Sequence, residues 1–202
     1  MKRSELFHPR VFTDEDWAEG YYKRNAKNIV RTAKRLIAIL KKNGFSGGRI
    51  LDVGSGFGAI SIELAKAFPG SKIIGIDLSK PLIELSKELA EKELDWDTPE
   101  FVEADVMQIP FEDASFDLLI NAYMLHVVEN PVKMSNEMRR VCKPEGIIMM
   151  TDLRRIALAY LVKKLKTSFT HKEAEEILWQ TDLRGANCKK GFFWWDYFLG
   201  LS

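Results

Sequence analysis

The sequence predicts an α/β fold: a doubly wound, mostly parallel sheet of about seven strands with an antiparallel C-terminal strand. Three observations carry that expectation. Short apolar runs alternate with amphipathic stretches from residue 49 to residue 151, the pattern of strand–helix–strand units. The first of these runs empties into a turn with glycines at 54, 56 and 58. The closing stretch, Asn187 to Leu201, is crowded with aromatics and reads as a terminal antiparallel pair.

Each element has its own signature. Residues 1–22 are aromatic and irregular, with a short helix expected near Asp14–Gly20. Residues 23–43 read as a second helix with the stripe Ile29, Val30, Ala33, Leu36, Ile37, Leu40, ended by Asn43-Gly44. Arg49–Val53 is an apolar strand, Ala59–Phe68 a helix ended by Pro69-Gly70, and Lys72–Ile76 a second strand. Ser79 caps the next helix, which tolerates Pro81 in its first turn and runs to about Glu93. Glu100–Ala104 and Phe116–Ala122 are strands three and four, the latter nearly all apolar as a strand buried on both faces must be. A helix over Val132–Cys142 stops at Lys143-Pro144-Glu145-Gly146, and Ile147–Thr151 is the fifth strand. Beyond Asp152, Leu153–Leu165 looks helical, and Thr170 with Glu173 makes a capping box for a helix reaching Trp179. Helical crossovers between parallel strands are right-handed and place helices on both faces.

Composition narrows the function. With 202 residues, 46% apolar and 29% charged, the chain can bury a real core. No apolar run approaches the roughly 18 residues of a membrane span, and the charged, aromatic start (MKRSELFHPRVF) lacks a secretory core. Cys142 and Cys188 form no CxxC and read as reduced, structural cysteines of a cytoplasmic protein. The three histidines (His8, His126, His171) are dispersed, so no metal site is expected. Net charge is +1, yet residues 1–50 hold twelve Lys/Arg against five Asp/Glu. Lys23, Lys27, Arg31 and Lys34 or Arg35 recur at helical spacing. A solvated helix face is the first reading, and a patch for an anionic substrate or RNA is the second.

The chemistry sits at Ile50-Leu51-Asp52-Val53-Gly54-Ser55-Gly56-Phe57-Gly58. Glycines let the backbone turn sharply and approach a ligand without a Cβ in the way, and the helix that follows points free N–H groups at it. Gly54-x-Gly56-x-x-Ala59 also fits the dinucleotide fingerprint. Asp77, 23 residues beyond Gly54, suits the ribose hydroxyls of either ligand. Asp52 discriminates: a carboxylate there opposes a pyrophosphate and favours an ammonium. Asp105, after the third strand, can accept from an adenine amino group. Acidic positions at three strand ends suit a cationic sulfonium better than a dianionic dinucleotide.

The ordered set ILDVGSGFG (50–58), IIGIDLS (73–79), FVEADVMQIPFEDASFDLLINAYMLHVVENP (101–131) and RRVCKPEGIIMMTD (139–152) resembles the class I S-adenosylmethionine-dependent methyltransferases of the type 11, small-molecule kind. TDLRR (151–155) with GFFW (191–194) resembles a subset of them. The resemblance implies a Rossmann-like methyltransferase fold and S-adenosyl-L-methionine as cofactor. It implies that Asp52, Gly54, Ser55, Gly56 and Gly58 surround the methionine part, and that Asp77 holds the ribose with Leu78 on the adenine. Asp105 and the Val106 backbone would read the adenine edge, with Asn121 beneath the sulfonium. Glu145-Gly146 replaces the family's frequent Gly-Gly, a change in a turn. A single domain follows: a helical cap over 1–45, a cofactor-binding core over 46–153, and C-terminal helices and strands over 154–202.

His126, just past the fourth strand, is placed to act as a general base, with simple packing in the loop as the alternative. Tyr22, with Tyr21, is a candidate lid residue facing the chemistry, with packing on the sheet edge as its alternative. The acceptor is expected to be a small molecule, of unnamed structure. A cofactor-binding module without turnover and a nicotinamide-dependent oxidoreductase are the competing functions.

Overall fold

The computed structural model describes residues 14–155, 167–183 and 187–201. Its sheet has seven strands: β1 (Arg49–Val53), β2 (Lys72–Asp77), β3 (Glu100–Glu103), β4 (Phe116–Ala122), β5 (Cys142–Leu153), β6 (Asn187–Lys190) and β7 (Trp194–Leu199). They lie in the order β3-β2-β1-β4-β5-β7-β6. The pairs from β3 to β5 are parallel, and β7 runs antiparallel to both β5 and β6. Strand order reverses between β1 and β4, which opens a crevice at the carboxyl ends of those two strands. The expected α/β class and strand content are what the chain adopts.

Helices cover both faces. On one side, α1 (Glu15–Lys42), α2 (Ala59–Ala67) and α3 (Lys80–Glu93) pack together. Leu36, Ile37 and Leu40 of α1 meet Ile60 and Leu64 of α2 over Ile50, Leu118 and Ile120 of the sheet. On the other side, Met134, Met138 and Val141 of α4 (Pro131–Val141) join Ala174 and Leu178 of α5 (His171–Trp179) over Leu51, Leu119, Ile148 and Trp195. Side chains of β1 and β4 alternate between these two cores, and that double burial explains their unbroken apolar sequence.

Two expectations need correction. The break near Gly20 does not occur, and α1 is one 28-residue helix capped by Asp14 and closed at Asn43. Trp17 and Tyr21 stack at 5.1 Å, and Tyr21 and Tyr22 both set ring edges against Phe57. This packing outweighs the ~1 kcal/mol that a helix-interior glycine costs. Second, β5 starts at Cys142, before the proline and glycine that read as a stop. A register shift between the Phe116–Cys142 and Leu118–Ile147 pairs absorbs the extra residues. The basic stripe of α1, first read as a solvated helix face, is partly paired with carboxylates. Lys23 pairs with Glu19 at 2.5 Å, Lys34 reaches Glu63 at 3.9 Å, and Arg35 turns inward to Asp196 and Thr151. Ser79, Asn130 and Thr170 cap α3, α4 and α5, the last through the capping box with Glu173. The expected helix over Leu153–Leu165 lies largely outside the described residues. Of that stretch, Leu153 ends β5 and Arg154 bridges to Phe169.

Candidate active site at the carboxyl edge of the sheet

The turn after β1 is built by glycine. Gly54, Gly56 and Gly58 have φ of 77°, 55° and 76°, in the left-handed region that side chains strain to occupy. The N–H groups of Gly54 and Ser55 both donate to the Ile76 carbonyl of β2 at 2.9 Å. The turn is therefore folded back over the neighbouring strand, and α2 starts directly behind it. A Cβ on Gly54 would stand 2.3 Å from Met124 Cγ, so Met124 lies closely over the turn.

Two buried carboxylates flank this turn. Asp77 Oδ2 accepts the Gly56 N–H and Oδ1 the Ser79 N–H, each at 2.9 Å. Burial raises the Asp77 carboxyl above its ordinary range, against the lowering effect of the Ser79, Gly56 and Leu78 backbone donors. Asp52 is 1% exposed and accepts the Ser61 hydroxyl at 2.7 Å through Oδ2. Its Oδ1 has no partner, and neither has the buried Ser55 Oγ. Burial pushes Asp52 up to about 7; the Ser61 hydroxyl opposes the rise and the charge of Asp77 adds to it. Among the described residues, no Lys, Arg or His forms an ion pair with Asp52 or Asp77. Two desolvated carboxylates without a cation are costly.

The other expected residues fall around the same edge. Asn121 pairs with Val53 across β4 and β1 and donates from Nδ2 to the Val53 carbonyl at 2.9 Å. Asp105 sits in the turn after β3, where its Oδ1 accepts the Met107 N–H at 2.8 Å. That turn is joined to β2 by the Ala104 N–H on the Asp77 carbonyl at 3.0 Å. Val106 is buried, while Leu78 is 67% exposed beside Asp77, an apolar surface open to a flat ligand.

His126 is 4% exposed. Its Nδ1 meets Asp152 Oδ1 at 2.5 Å, and its backbone N–H donates to Asp152 Oδ2 at 3.0 Å. The loop that presents it begins at Tyr123, a non-glycine residue with φ of 64°. The Tyr123 N–H donates to the Thr151 carbonyl at 2.8 Å, and its hydroxyl lies 2.7 Å from Thr32 Oγ1 of α1. These contacts hold a conformation that costs ~1–2 kcal/mol, at a place where such strain often has a use.

The expectation that Tyr22 faces the chemistry is corrected. Its ring lies in a groove between α1, α2 and α3 with Ala26, Val30, Phe57 and Leu89. Tyr21 is the residue near Asp77. Burial first, then the charges of Asp77 and Tyr123, push its phenol up to about 12. Sequence reasoning did not single out Asp152 or Met124, which border the candidate site. Asp152 closed a recognisable segment, but its contact with residue 126 depends on β4 and β5 lying side by side.

The family described as "Methyltransferase domain" matches residues 45–198, from the approach to β1 through nearly all of β7. The chain belongs to this family. Malonyl-[acyl-carrier protein] O-methyltransferase of Legionella pneumophila is 32% identical over 132 residues, 65% of this chain and 45% of that protein. Demethylmenaquinone methyltransferase of Staphylococcus aureus is 36% identical over 107 residues, 52% of this chain and 43% of that protein. The chain thus spans less than half the length of these curated relatives. In fold, a Methanococcus maripaludis protein assigned to the S-adenosyl-L-methionine-dependent methyltransferases superposes with a TM-score of 0.77 at 22% identity, covering 98% of each chain.

Proposed function

We propose that the chain is an S-adenosyl-L-methionine-dependent methyltransferase acting on a small-molecule acceptor. The observation that carries this reading is the pair of buried carboxylates, Asp52 and Asp77, set on either side of a glycine turn with no cationic partner among the described residues. The residues present fit the cofactor. Its ammonium and sulfonium supply the missing positive charge, and the orphaned Asp52 Oδ1 and Ser55 Oγ offer it two unused polar atoms. When bound, S-adenosyl-L-methionine supplies an activated methyl group on sulfur.

The chain's own residues do the rest. Asp77, anchored by two backbone N–H donors, keeps lone pairs for ribose hydroxyls. Asp105 and the Val106 backbone accept and donate at the adenine edge, with Leu78 against its face. The glycine turn and the first turn of α2 take the methionine part, over Asn121 at the head of β4. Tyr21 and Met124 exclude water from two sides. Alignment and water exclusion are the main catalytic contributions in such a displacement, worth ~7–11 kcal/mol. His126, oriented by Asp152, takes the proton from an acceptor that starts protonated.

A small acceptor agrees with the printed names of the curated relatives, which specify a malonyl group on acyl-carrier protein and demethylmenaquinone. Lys23, Lys34 and Arg35 of α1 each pair with a carboxylate, which makes RNA the weaker partner in this reading. No helix among the described residues is long and apolar enough to cross a membrane, and the free cysteines Cys142 and Cys188 suit a cytoplasmic setting. Calorimetric titration with S-adenosylhomocysteine, followed by an acceptor panel read out as S-adenosylhomocysteine release, tests the proposal. Saturable binding and turnover are expected. Absence of binding by both donor and product overturns it.

A further inference from the structure

Away from the glycine turn, the fold gathers three metal-ligating side chains that the sequence scatters. His171 and Glu175 stand one turn apart on α5, and His171 Nδ1 lies 3.1 Å from Glu175 Oε2. Cys188 of edge strand β6 approaches from the sheet, with Sγ 3.1 Å from His171 Nε2. One imidazole nitrogen, the thiol sulfur and a carboxylate oxygen all lie within 4.8 Å of one another. All three residues are half-buried, shielded from bulk water yet open to an entering ion.

We infer that His171, Glu175 and Cys188 form a site for one borderline-soft divalent transition ion, zinc by its donor set, that pins α5 to β6. Nitrogen, sulfur and oxygen donors are the mixture zinc accepts, with bonds of about 2.3 Å to sulfur and 2.0–2.2 Å to nitrogen and oxygen. Tetrahedral bonds of those lengths set neighbouring donors roughly 3.3–3.5 Å apart. Glu175 and Cys188 now meet opposite ring nitrogens of His171, so an ion on one nitrogen draws the farther donor in from at most 4.8 Å, a side-chain shift of up to about 1.5 Å. Water completes the coordination.

The scaffold is firm where the ligands need it. His171 is the first residue of α5, and the helix start is fixed by the Thr170–Glu173 capping box and by the Arg155 ion pair to Glu173. Ala174 and Leu178 hold the helix on the sheet. Cys188 faces the same side of the sheet and packs against that core. Binding replaces the thiol proton, Cys188–SH plus M²⁺ giving Cys188–S–M⁺ plus H⁺, with the proton released to solvent. The site is distinct from the cleft. Cys188, Tyr197, Met150 and Asn121 lie in one row across β6, β7, β5 and β4, so three strand spacings, roughly 14 Å, separate Cys188 from Asn121.

The test uses the full chain and the metals alone. Equilibrium dialysis should give one zinc per chain, and cobalt should show a thiolate-to-metal charge-transfer absorption. Cys188→Ser should abolish that absorption, and Glu175→Gln should weaken zinc binding roughly 10–100-fold. A wild-type measurement covers the case of a variant that does not fold: zinc should protect Cys188 from iodoacetamide in peptide mapping, with fully buried Cys142 as the internal reference. No zinc uptake, cobalt spectra without thiolate character, or unchanged alkylation of Cys188 with zinc overturns the inference.

Discussion

Asp152 grips His126 at two points, accepting its backbone N–H at 3.0 Å through Oδ2 and facing its Nδ1 at 2.5 Å through Oδ1. A carboxylate facing Nδ1 favours the tautomer that carries its proton there. The contact also ties the loop after β4 to the end of β5, so one residue sets both the place and the tautomer of the imidazole. His126→Ala should lower kcat by about 10²–10⁴-fold with little change in S-adenosylhomocysteine affinity, given an acceptor that starts protonated. Asp152→Asn should fall between the two. Steady-state kinetics paired with calorimetry makes the check, and unchanged kcat in folded His126→Ala removes the base role.

Asp77 should be the side chain on which cofactor affinity depends most. Asp77→Ala deletes the ribose acceptor and also frees the Gly56 and Ser79 N–H groups. A loss of roughly 1.5–3 kcal/mol in S-adenosylhomocysteine binding is expected from charge-assisted hydrogen bonds. Asp77→Asn, which keeps the shape, should lose less. Equal affinity of all three proteins, each shown folded, would take Asp77 out of the site.

Asp52 should make stability and binding respond to pH in opposite directions. Its folded value, about 7, lies above the ordinary 3.8, so in that interval the folded chain holds a proton that the unfolded chain has released. The contribution to stability is then full below about pH 4 and is lost as pH rises through about 7. Relative to Asp52→Asn, the unliganded wild type should lose unfolding free energy across this window, by up to ~4 kcal/mol from a shift of about three pH units. A cationic cofactor favours the ionised carboxylate, so affinity should rise over the same range in wild type and stay flatter in the variant. Urea unfolding and calorimetry at pH 4.5, 6 and 8 measure both trends. Parallel pH profiles for the two proteins would exclude this ionisation.

Gly54 is held by geometry rather than by chemistry of its own. With φ of 77° and Met124 Cγ 2.3 Å from an added Cβ, Gly54→Ala should destabilise by at least ~1–2 kcal/mol from backbone strain alone. It should also weaken cofactor binding. Met124→Ala in the same chain makes room and should restore part of the stability but not the strain. Thermal unfolding of the two single variants and the double variant reads the coupling. Additive effects would mean that the two side chains do not meet.

How much of this was visible in the residue order follows from what each feature depends on. β4 was legible over its full length because burial on two faces leaves no polar position in Phe116–Ala122 beyond Asp117 and Asn121. The glycine turn was legible because positive φ leaves few residue choices. The continuity of α1 was not, since it rests on Trp17, Tyr21 and Phe57 meeting across a turn in space. The same holds for the cleft. Asp52, Asp77 and Asn121 announce themselves at strand ends, whereas Met124 and Asp152 arrive through tertiary approach. His171 and Cys188, 17 positions apart, looked dispersed until a helix and an edge strand brought them within 3.1 Å.

The strand filling the interior place between β5 and β6 is the later of the two in chain order. Residues 187–190 therefore join the sheet only through their antiparallel partner, residues 194–199, and the outer side of β5 stays open until residues 194–199 dock. Assembly of that half of the sheet waits for its latest segment. Cutting the chain before Trp194 would delete β7 and leave β6 without the strand it pairs with, and it would leave a long, apolar β5 edge as a template for aggregation.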